Sequence, residues 1–167
     1  LVICNGFTRY APIKKFKNKK DDFNIIYVAR YHPQKNHKLL FKSIAIFKQK
    51  YSFNFKLHLV GKGLNTKNKI LIKHLKNLNI YENAILYDLI NPISVHKLFS
   101  KSDISLLLST YGESFPNVIA EAMLYGTFPI ATNVGDTKSI IESFGDTVSK
   151  NTSAKRIATL IFKYYLL

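Results

Sequence analysis

The chain has 167 residues, 47% of them hydrophobic and including 12 Phe and 10 Tyr, which supports one globular domain with a buried core. Cys4 is the only cysteine, which excludes a disulfide within the chain, and no apolar run reaches the roughly 18 residues that a membrane span needs. The formal net charge of +15 favours an anionic partner, namely nucleic acid, an anionic membrane leaflet or a phosphorylated small molecule, unless it reflects only coding bias.

The amino-terminal part predicts little regular structure beyond one short extended run. Residues 1–4 are apolar, Asn5-Gly6 is a strong turn signal, and Lys14 to Asp22 reads as a basic linker or surface loop. Phe16 is the only aromatic residue among these lysines, so a solvated face is favoured over a nucleic-acid patch. Because the chain begins at Leu1 and ends inside a predicted helix, we expect a piece of a longer protein.

From residue 23 onward, apolar strands and amphipathic helices alternate. Strands are predicted at 24–29, 55–60, 84–87, 104–108 and 128–132, with a sixth at 147–148. Helices are predicted at 37–51, 67–78, 92–100, 137–142 and 154–166, and one more opens between Ser114 and Asn117. The inward faces of the first two helices are predicted to be Leu40, Ile44, Phe47 and Tyr51, and Ile70, Leu71, Leu75 and Leu78. Because the strands are apolar on both faces, they predict an α/β fold, a Rossmann-like parallel sheet of about six strands with helices on both faces.

Ligands of such sheets bind beyond the carboxyl ends of the strands, so the loops that leave the strands are the candidate site. They are 30–36, 61–65, 88–92, 109–117 and 133–136. The first carries Arg30 and Lys35, a guanidinium fork and a point charge suited to a diphosphate, although exposed cations are common in so basic a protein. Gly61 and Gly63 predict a tight turn that lets a ligand approach the backbone, because the third glycine of a dinucleotide fingerprint is missing.

One stretch combines two acids with a helix start. Pro116 suits the first helical turn, which would leave the amides of Asn117 and Val118 without intrahelical partners and place a positive helix end beside Glu113. Glu121 lies one turn beyond Asn117 and shares its face. These residues predict a site that grips hydroxyl groups on either side of an anion.

Other motifs are uninformative or point to packing. The five histidines have no metal-ligand spacing with Cys4 or with one another, and no Ser-His-Asp elbow occurs. We expect His58, within a predicted strand, to be packed. Tyr164 and Tyr165 form one apolar side of the last helix and suggest a partner surface.

Taken in order, V-A-R-x-x-P-x-K-N-H, L-V-G-x-G, S-D-I, E-S-F-P-N-V-I-A-E-A-M-x-Y-G and A-T-N-V-G-D resemble the retaining, nucleotide-sugar-dependent glycosyltransferases of family 4, which have the GT-B fold. The likeness covers nearly the whole chain, and its most specific element is the E-x7-E spacing of Glu113 and Glu121. It implies one half of a GT-B fold. Residues 1–22 would be the end of the interdomain linker and a basic loop, and 23–167 the carboxy-terminal, donor-binding domain, with the amino-terminal acceptor domain absent and the final helices truncated.

The resemblance also implies roles for individual residues. Arg30 and Lys35 match the basic pair that contacts the donor diphosphate, and Glu113 the acid beside the donor sugar; these three are the catalytic candidates. Glu121 matches the acid that binds the ribose hydroxyls. The other implied donor contacts are Gly61, Gly63, Leu89, Ile90, Ser114, Phe115, Asn117 and Val118.

We therefore expect the donor half of a bacterial, cytoplasmic transferase that builds a capsule or lipopolysaccharide type of glycan, inactive as a fragment. Its donor would be a nucleotide-diphosphate sugar, with no metal and no other cofactor, since an Asp-x-Asp motif is missing. Its glycan or lipid-linked acceptor would bind the absent domain, with peripheral contact at the inner face of the plasma membrane left open. A basic nucleic-acid-binding domain, an epimerase or phosphorylase on the same fold, and glycosidase-like use of the two carboxylates are the alternatives.

Overall fold

The computed structural model describes residues 22–51 and 53–167. The predictions for residues 1–4, for Asn5-Gly6 and for all of the basic segment except Asp22 lie outside the described residues. Within the described ranges, no helix is both long and apolar enough to cross a membrane.

Six parallel strands form one sheet, in the order β3-β2-β1-β4-β5-β6. Their bounds are β1 Phe23–Val28, β2 Phe55–Val60, β3 Ala84–Tyr87, β4 Ile104–Leu107, β5 Phe128–Thr132 and β6 Asp146–Val148. This order is that of a Rossmann-type, doubly wound sheet. The predicted fold class is therefore confirmed, and the bounds of β2, β3 and β5 match those expected from the sequence.

Alternate side chains of the strands pack against helices on opposite faces of the sheet. On one face, Ile25 and Tyr27 belong to the larger core cluster. On the other, Ile26 packs in a smaller cluster with Phe99 and Tyr125. The α-helices are α1 His37–Tyr51, α2 Lys69–Asn77, α3 Pro92–Phe99, α4 Asn117–Leu124, α5 Thr137–Ile141 and α6 Ala154–Tyr165. Side chains of α1, α2 and α6 line the first cluster, and those of α3, α4 and α5 lie on the second face.

Side-chain caps determine where three of these helices begin. The side-chain oxygens of Asn68, Asn91 and Ser153 accept hydrogen bonds from amides three residues later, at the starts of α2, α3 and α6. Such a cap satisfies an amide that has no partner within the helix. The Asn68 cap explains why α2 begins at Lys69, two residues later than predicted.

Two expectations about side-chain direction were wrong. Ile70 points outward and is 64% exposed, because Leu71 and Leu75 already fill the inward face of α2. Tyr164 and Tyr165 do not form a partner surface. Tyr164 stacks on Phe128 and belongs to the core under α6, and Tyr165, partly buried, packs edge-on against Phe23 beside that core.

Candidate functional site

The site lies where the strand order reverses. β1 and β4 are neighbours, but the chain continues from β1 toward β2 on one side and from β4 toward β5 on the other. The loops that leave β1 and β4 therefore diverge and leave a crevice between them, which is the usual ligand position in open α/β sheets. The candidates Lys35 and Glu113 lie on these two loops.

Lys35 and Glu113 form an ion pair across this crevice. The Lys35 Nζ atom donates to Glu113 Oε1, and the two side chains are only 17% and 12% exposed. The Ser109 hydroxyl donates to the same oxygen at 2.5 Å. The two charges pair directly because each needs a partner when it is this poorly hydrated.

Gln34 joins the same two loops and was not identified from the sequence. Its Nε2 atom donates to the carbonyl oxygens of Tyr111 at 2.9 Å and Gly112 at 3.1 Å, and its Oε1 atom accepts from Arg30 Nη2 at 3.2 Å. The Thr110 amide donates to the Gln34 carbonyl at 3.0 Å. A single buried glutamine thus fixes the guanidinium of Arg30 and the loop that carries the acid.

The loop after β5 packs against the backbone of Glu113 and Ser114. A Cβ atom on Gly135, where φ is +59°, would lie 2.0 Å from the Glu113 carbonyl oxygen and 2.6 Å from that of Ser114. The Asp136 amide donates to the Ser114 carbonyl at 2.9 Å. Only glycine fits here, since the position combines a left-handed conformation with backbone contact. The loop 133–136 therefore positions the site.

The start of α4 differs in detail from the prediction. Pro116 directly precedes the helix and is buried, and the Asn117 amide donates to the Phe115 carbonyl at 2.9 Å, so it is engaged locally. The Val118 amide makes no backbone hydrogen bond within the described ranges. Ser114 and Asn117 are exposed beside it. The helix end therefore offers the Val118 amide to an anion in the crevice.

Glu121 lies on the first turns of α4, half-buried, and its burial raises the pKa of its carboxyl, an effect that His96 opposes electrostatically. Tyr125 lies one turn further along the same face, and its hydroxyl oxygen is 2.8 Å from Nδ1 of the buried His96 ring. His96 comes from α3. The second acid is therefore held on a face of α4 that the packing of α3 fixes.

The two glycines after β2 allow close contacts between loops at the carboxyl edge of the sheet. A Cβ atom on Gly61 would lie 2.4 Å from the carbonyl oxygen of Ala29, the residue directly after β1, so glycine is needed where these two loops meet. The approach of a ligand to this turn stays a prediction. The Gly63 amide donates to Asp88 Oδ1 at 3.1 Å. Hydrogen bonds from Asn65 and Gly63 hold the pKa of the Asp88 carboxyl below its usual range. The loop after β2 is thereby tied to the loop after β3.

The two apolar candidates after β3 have different surroundings. Leu89 is 73% exposed, whereas Ile90 packs against the core cluster that contains Phe99 and Tyr125. An exposed leucine beside a packed isoleucine can form an apolar shelf at the carboxyl edge of the sheet. Leu89 is thus the member of this pair that a flat ligand group could cover.

Two buried side chains lie beneath Lys35. The Tyr27 hydroxyl donates to the Lys35 carbonyl oxygen and accepts from the Leu108 amide at 3.4 Å, and burial raises the pKa of Tyr27 far above its usual value. His37 packs against the Tyr27 ring with centroids 5.1 Å apart. Burial lowers the pKa of His37 to about 4, so the ring is neutral at physiological pH.

Among the remaining histidines, His58 is packed as expected. Its ring nitrogens lie 3.0 Å from Asn24 Oδ1 and 3.2 Å from the Tyr87 hydroxyl oxygen. In the part of the chain that the structure describes, no group of three or more His, Cys, Asp or Glu side chains is placed to hold a metal ion.

The structure therefore brings Arg30, Lys35 and Glu113 together in the crevice. Val118 lies at the start of α4, which follows the loop of Glu113, and Glu121 lies one turn further along that helix. A lysine, a guanidinium and a helix start can hold an anion, and two carboxylates can accept hydrogen bonds from hydroxyl groups. Gln34, Ser109 and Gly135 were missed. The partners of Gln34 and Gly135 lie on other loops, and Ser109 contacts Glu113 within its own loop, so their roles follow from the folded geometry.

Comparison with known proteins identifies a family and related folds. The family described as glycosyl transferases group 1 matches residues 11–166. An uncharacterized 41.2 kDa protein in the cps region of Klebsiella pneumoniae is 29% identical over 144 residues, which are 84% of this chain and 37% of that protein. The capsular polysaccharide biosynthesis glycosyltransferase CapH of Staphylococcus aureus is 24% identical over 146 residues, 87% of this chain and 39% of CapH.

Solved structures show the same fold at low sequence identity. The lipopolysaccharide outer core galactosyltransferase WaaB superposes with a TM-score of 0.82 at 21% identity, over 99% of this chain and 46% of WaaB. Anabaena HepE, solved in complex with UDP-glucose, gives a TM-score of 0.74 at 22% identity, over 87% of this chain and 39% of HepE. The chain spans less than half the length of each of these four proteins.

Proposed function

The chain belongs to the group 1 glycosyl transferases, and we propose that it is the donor-binding domain of a retaining transferase that uses a nucleotide-diphosphate sugar. The observation that carries the proposal is the Lys35–Glu113 pair at the point where the strand order reverses. A cation that can bind a diphosphate and a carboxylate that can bind sugar hydroxyls thus lie within one crevice, which supports the proposal.

In the proposed complex, the donor diphosphate binds between Lys35, Arg30 and the Val118 amide. Cleavage of the bond between the sugar and the phosphate leaves negative charge on the diphosphate, and these donors stabilise that charge in the transition state. Lys35 then interacts with both the phosphate and Glu113. Glu113, which Ser109 and Lys35 hold in place, accepts hydrogen bonds from the sugar hydroxyls. Three fixed donors suffice for this chemistry, so we propose that no metal is required.

The remaining donor contacts follow from the position of α4. Glu121 accepts hydrogen bonds from the ribose hydroxyls, and the base lies on the shelf formed by Leu89 and Ile90. The glycines Gly61 and Gly63 bring the loop after β2 close to the nucleotide without contributing a side chain. Ser114, Phe115 and Asn117 border the sugar and the phosphates at the start of the helix.

The proposed acceptor is a cell-envelope glycan of the capsule or lipopolysaccharide type. Support comes from the relatives, which include a capsular polysaccharide biosynthesis glycosyltransferase and a lipopolysaccharide outer core galactosyltransferase. The relatives are more than twice as long as this chain, so we assign the acceptor to a second domain of the whole protein. Transfer of sugar to an acceptor by the whole protein would separate this proposal from an epimerase or phosphorylase.

Calorimetric titration of the chain with a panel of nucleotide diphosphates and their sugars tests the proposal. We expect one nucleotide to bind, and Glu121→Ala to weaken it at least about tenfold, because hydrogen bonds to a carboxylate contribute about 1.5–3 kcal/mol each. Glu82→Ala is the control, since it removes an exposed carboxylate before β3, at the opposite edge of the sheet. Equal affinities for the wild type and Glu121→Ala would show that the ribose assignment is wrong.

A further inference from the structure

Positive charge is concentrated in one part of the chain. Residues 23–81 contain twelve Lys and Arg and no Asp or Glu, whereas residues 82–167 contain seven Lys and Arg and eight Asp and Glu. Coding bias alone would spread lysines evenly along the chain. A sharp asymmetry of this kind indicates a surface adapted to an anionic partner.

The fold turns this asymmetry into a difference between two helical layers. The helices α1, α2 and α6, which cover one face of the sheet, carry ten Lys and Arg and no acid. The helices on the other face, α3, α4 and α5, carry two Lys and one Glu. The proposed donor crevice lies at the carboxyl edge of the sheet, between the two layers.

The outward side of α1 and α2 forms what we call the basic face. Its exposed lysines are Lys38, Lys42, Lys69, Lys73 and Lys76. Between the two helices runs an open groove of about 210 Å³, with Phe41 and Leu78 among its lining residues and Lys38, Lys42 and His74 beside them. The ion pairs between described residues join Lys35 to Glu113, Lys56 to Asp22 and Lys163 to Asp146, so none neutralises the basic face.

We propose that the basic face docks the protein on a bilayer that contains anionic phospholipid. Five lysines on adjacent helices match a negatively charged leaflet, which attracts basic segments within about a Debye length. Ile70, 64% exposed on α2 between Lys69 and Lys73, supplies an aliphatic side chain that can enter the boundary between headgroups and acyl chains.

A bilayer fits this face better than a nucleic acid does. Proteins that bind single strands stack bases on exposed aromatic rings. Among the large apolar side chains that are exposed in the described part of the chain, the one on α1 or α2 is Ile70, which is aliphatic. The aromatic residues of α1 are engaged elsewhere, since Phe41 is buried and Tyr51 stacks on Phe162 with centroids 3.9 Å apart.

Docking through the basic face leaves the donor site accessible. The crevice opens at the carboxyl edge of the sheet, whereas the basic face is the outer surface of one helical layer. A nucleotide sugar could therefore enter from water while the protein is bound to the leaflet. The proposal does not depend on the assigned donor, because none of the lysines of the basic face belongs to the candidate site.

Vesicle sedimentation with the 167-residue chain tests the docking. Phosphatidylcholine vesicles with about a third phosphatidylglycerol would be compared with pure phosphatidylcholine. The test variant carries Lys38→Gln, Lys42→Gln, Lys69→Gln and Lys73→Gln. The control variant carries Lys97→Gln, Lys101→Gln, Lys138→Gln and Lys150→Gln, which removes the same charge from exposed positions elsewhere. Thermal unfolding and nucleotide titration of both variants verify that they are folded.

We expect binding to the anionic vesicles only. Each lysine near such a surface contributes about fivefold to partitioning, so the test variant should bind at least about 100-fold more weakly and the control less than about tenfold more weakly. Ile70→Ser should reduce binding about tenfold without changing its dependence on salt. Equal binding to neutral vesicles, no binding to either, or equal loss in both variants would overturn the proposal. So would tighter, lysine-dependent binding of a single-stranded oligonucleotide.

Discussion

Replacement of Gln34 tests whether the two loops of the site are held together as the structure shows. Gln34→Met keeps the length and apolar volume of the side chain but removes its hydrogen bonds to Tyr111, Gly112 and Arg30. Gln34→Ala removes the same bonds and also the packing. The difference between the two variants separates packing from hydrogen bonding.

The expected cost follows from the three bonds. The two bonds to carbonyl oxygens contribute about 1 kcal/mol each, and the bond from the charged Arg30 about 1.5 kcal/mol. Tyr111 and Gly112 are exposed, so water can replace Gln34 at their carbonyls and recover part of this energy. We therefore expect Gln34→Met to lower the free energy of unfolding by about 2 kcal/mol, and Gln34→Ala by about 1 kcal/mol more.

Replacement of Gln34 should also weaken ligand binding, although Gln34 itself contacts no ligand in the proposed complex. Without Gln34, Arg30 and the loop before Glu113 are no longer positioned before binding, so both variants should weaken nucleotide binding about tenfold. Urea unfolding measures the first effect and calorimetric titration the second. If Gln34→Met changes the unfolding free energy by less than about 0.5 kcal/mol and leaves affinity unchanged, Gln34 does not organise the site.

Three further predictions concern the surroundings of the site. Gly135→Ala should lower the free energy of unfolding by about 2–4 kcal/mol and weaken nucleotide binding, because its Cβ atom would displace the Glu113 and Ser114 carbonyls; thermal unfolding and titration measure the two effects. Folding lowers the His37 pKa from 6.5 to about 4, so the free energy of unfolding of the wild type should fall by about 3 kcal/mol as the pH drops through that window. His37→Phe should flatten this pH dependence, which urea unfolding measures. Nucleotide binding should weaken as the pH falls toward the raised pKa of the Glu121 carboxyl, because the protonated form accepts fewer hydrogen bonds. Calorimetry across pH should show this loss above the range of an ordinary glutamate.

Each of these predictions has a control. Gly63→Ala, at a φ of +85° but with Tyr31 Cβ at 3.2 Å as its nearest contact, should cost only about 1–2 kcal/mol. An equal cost at both glycines would contradict the backbone contact proposed for Gly135. If the free energy of unfolding of His37→Phe falls at low pH as much as that of the wild type, His37 does not cause the fall. Glu121→Gln should remove the pH dependence of binding, and its persistence would assign the titration to another group.

The sequence predicted the strands and helices well because burial dominates their pattern. In α1, Leu40, Ile44 and Phe47 recur at helical spacing and are all fully buried, so helical periodicity alone located the helix from His37 to Tyr51. The same reasoning failed at Ile70. An amphipathic helix needs only one inward stripe, and spacing cannot say which of two adjacent apolar residues occupies it.

The candidate site was predictable only in part, for a reason that concerns distance along the chain. Parallel strands place their carboxyl ends at one edge, so the sequence could predict that Lys35 and Glu113 approach each other. It could not predict Gln34, whose bonds reach residues 77 and 78 positions away. Glutamine in a polar loop carries no periodicity and no motif. Its role follows from the geometry of the folded loops.

Amide chemical-shift mapping by NMR tests the central claim most directly. The isotopically labelled chain would be titrated with the nucleotide diphosphate that binds most tightly. We predict that the largest changes occur at Lys35, Glu113 and Val118, which belong to three sides of one crevice. Changes confined to α1 and α2, or to the opposite edge of the sheet near Glu82, would contradict the assignment of the donor site.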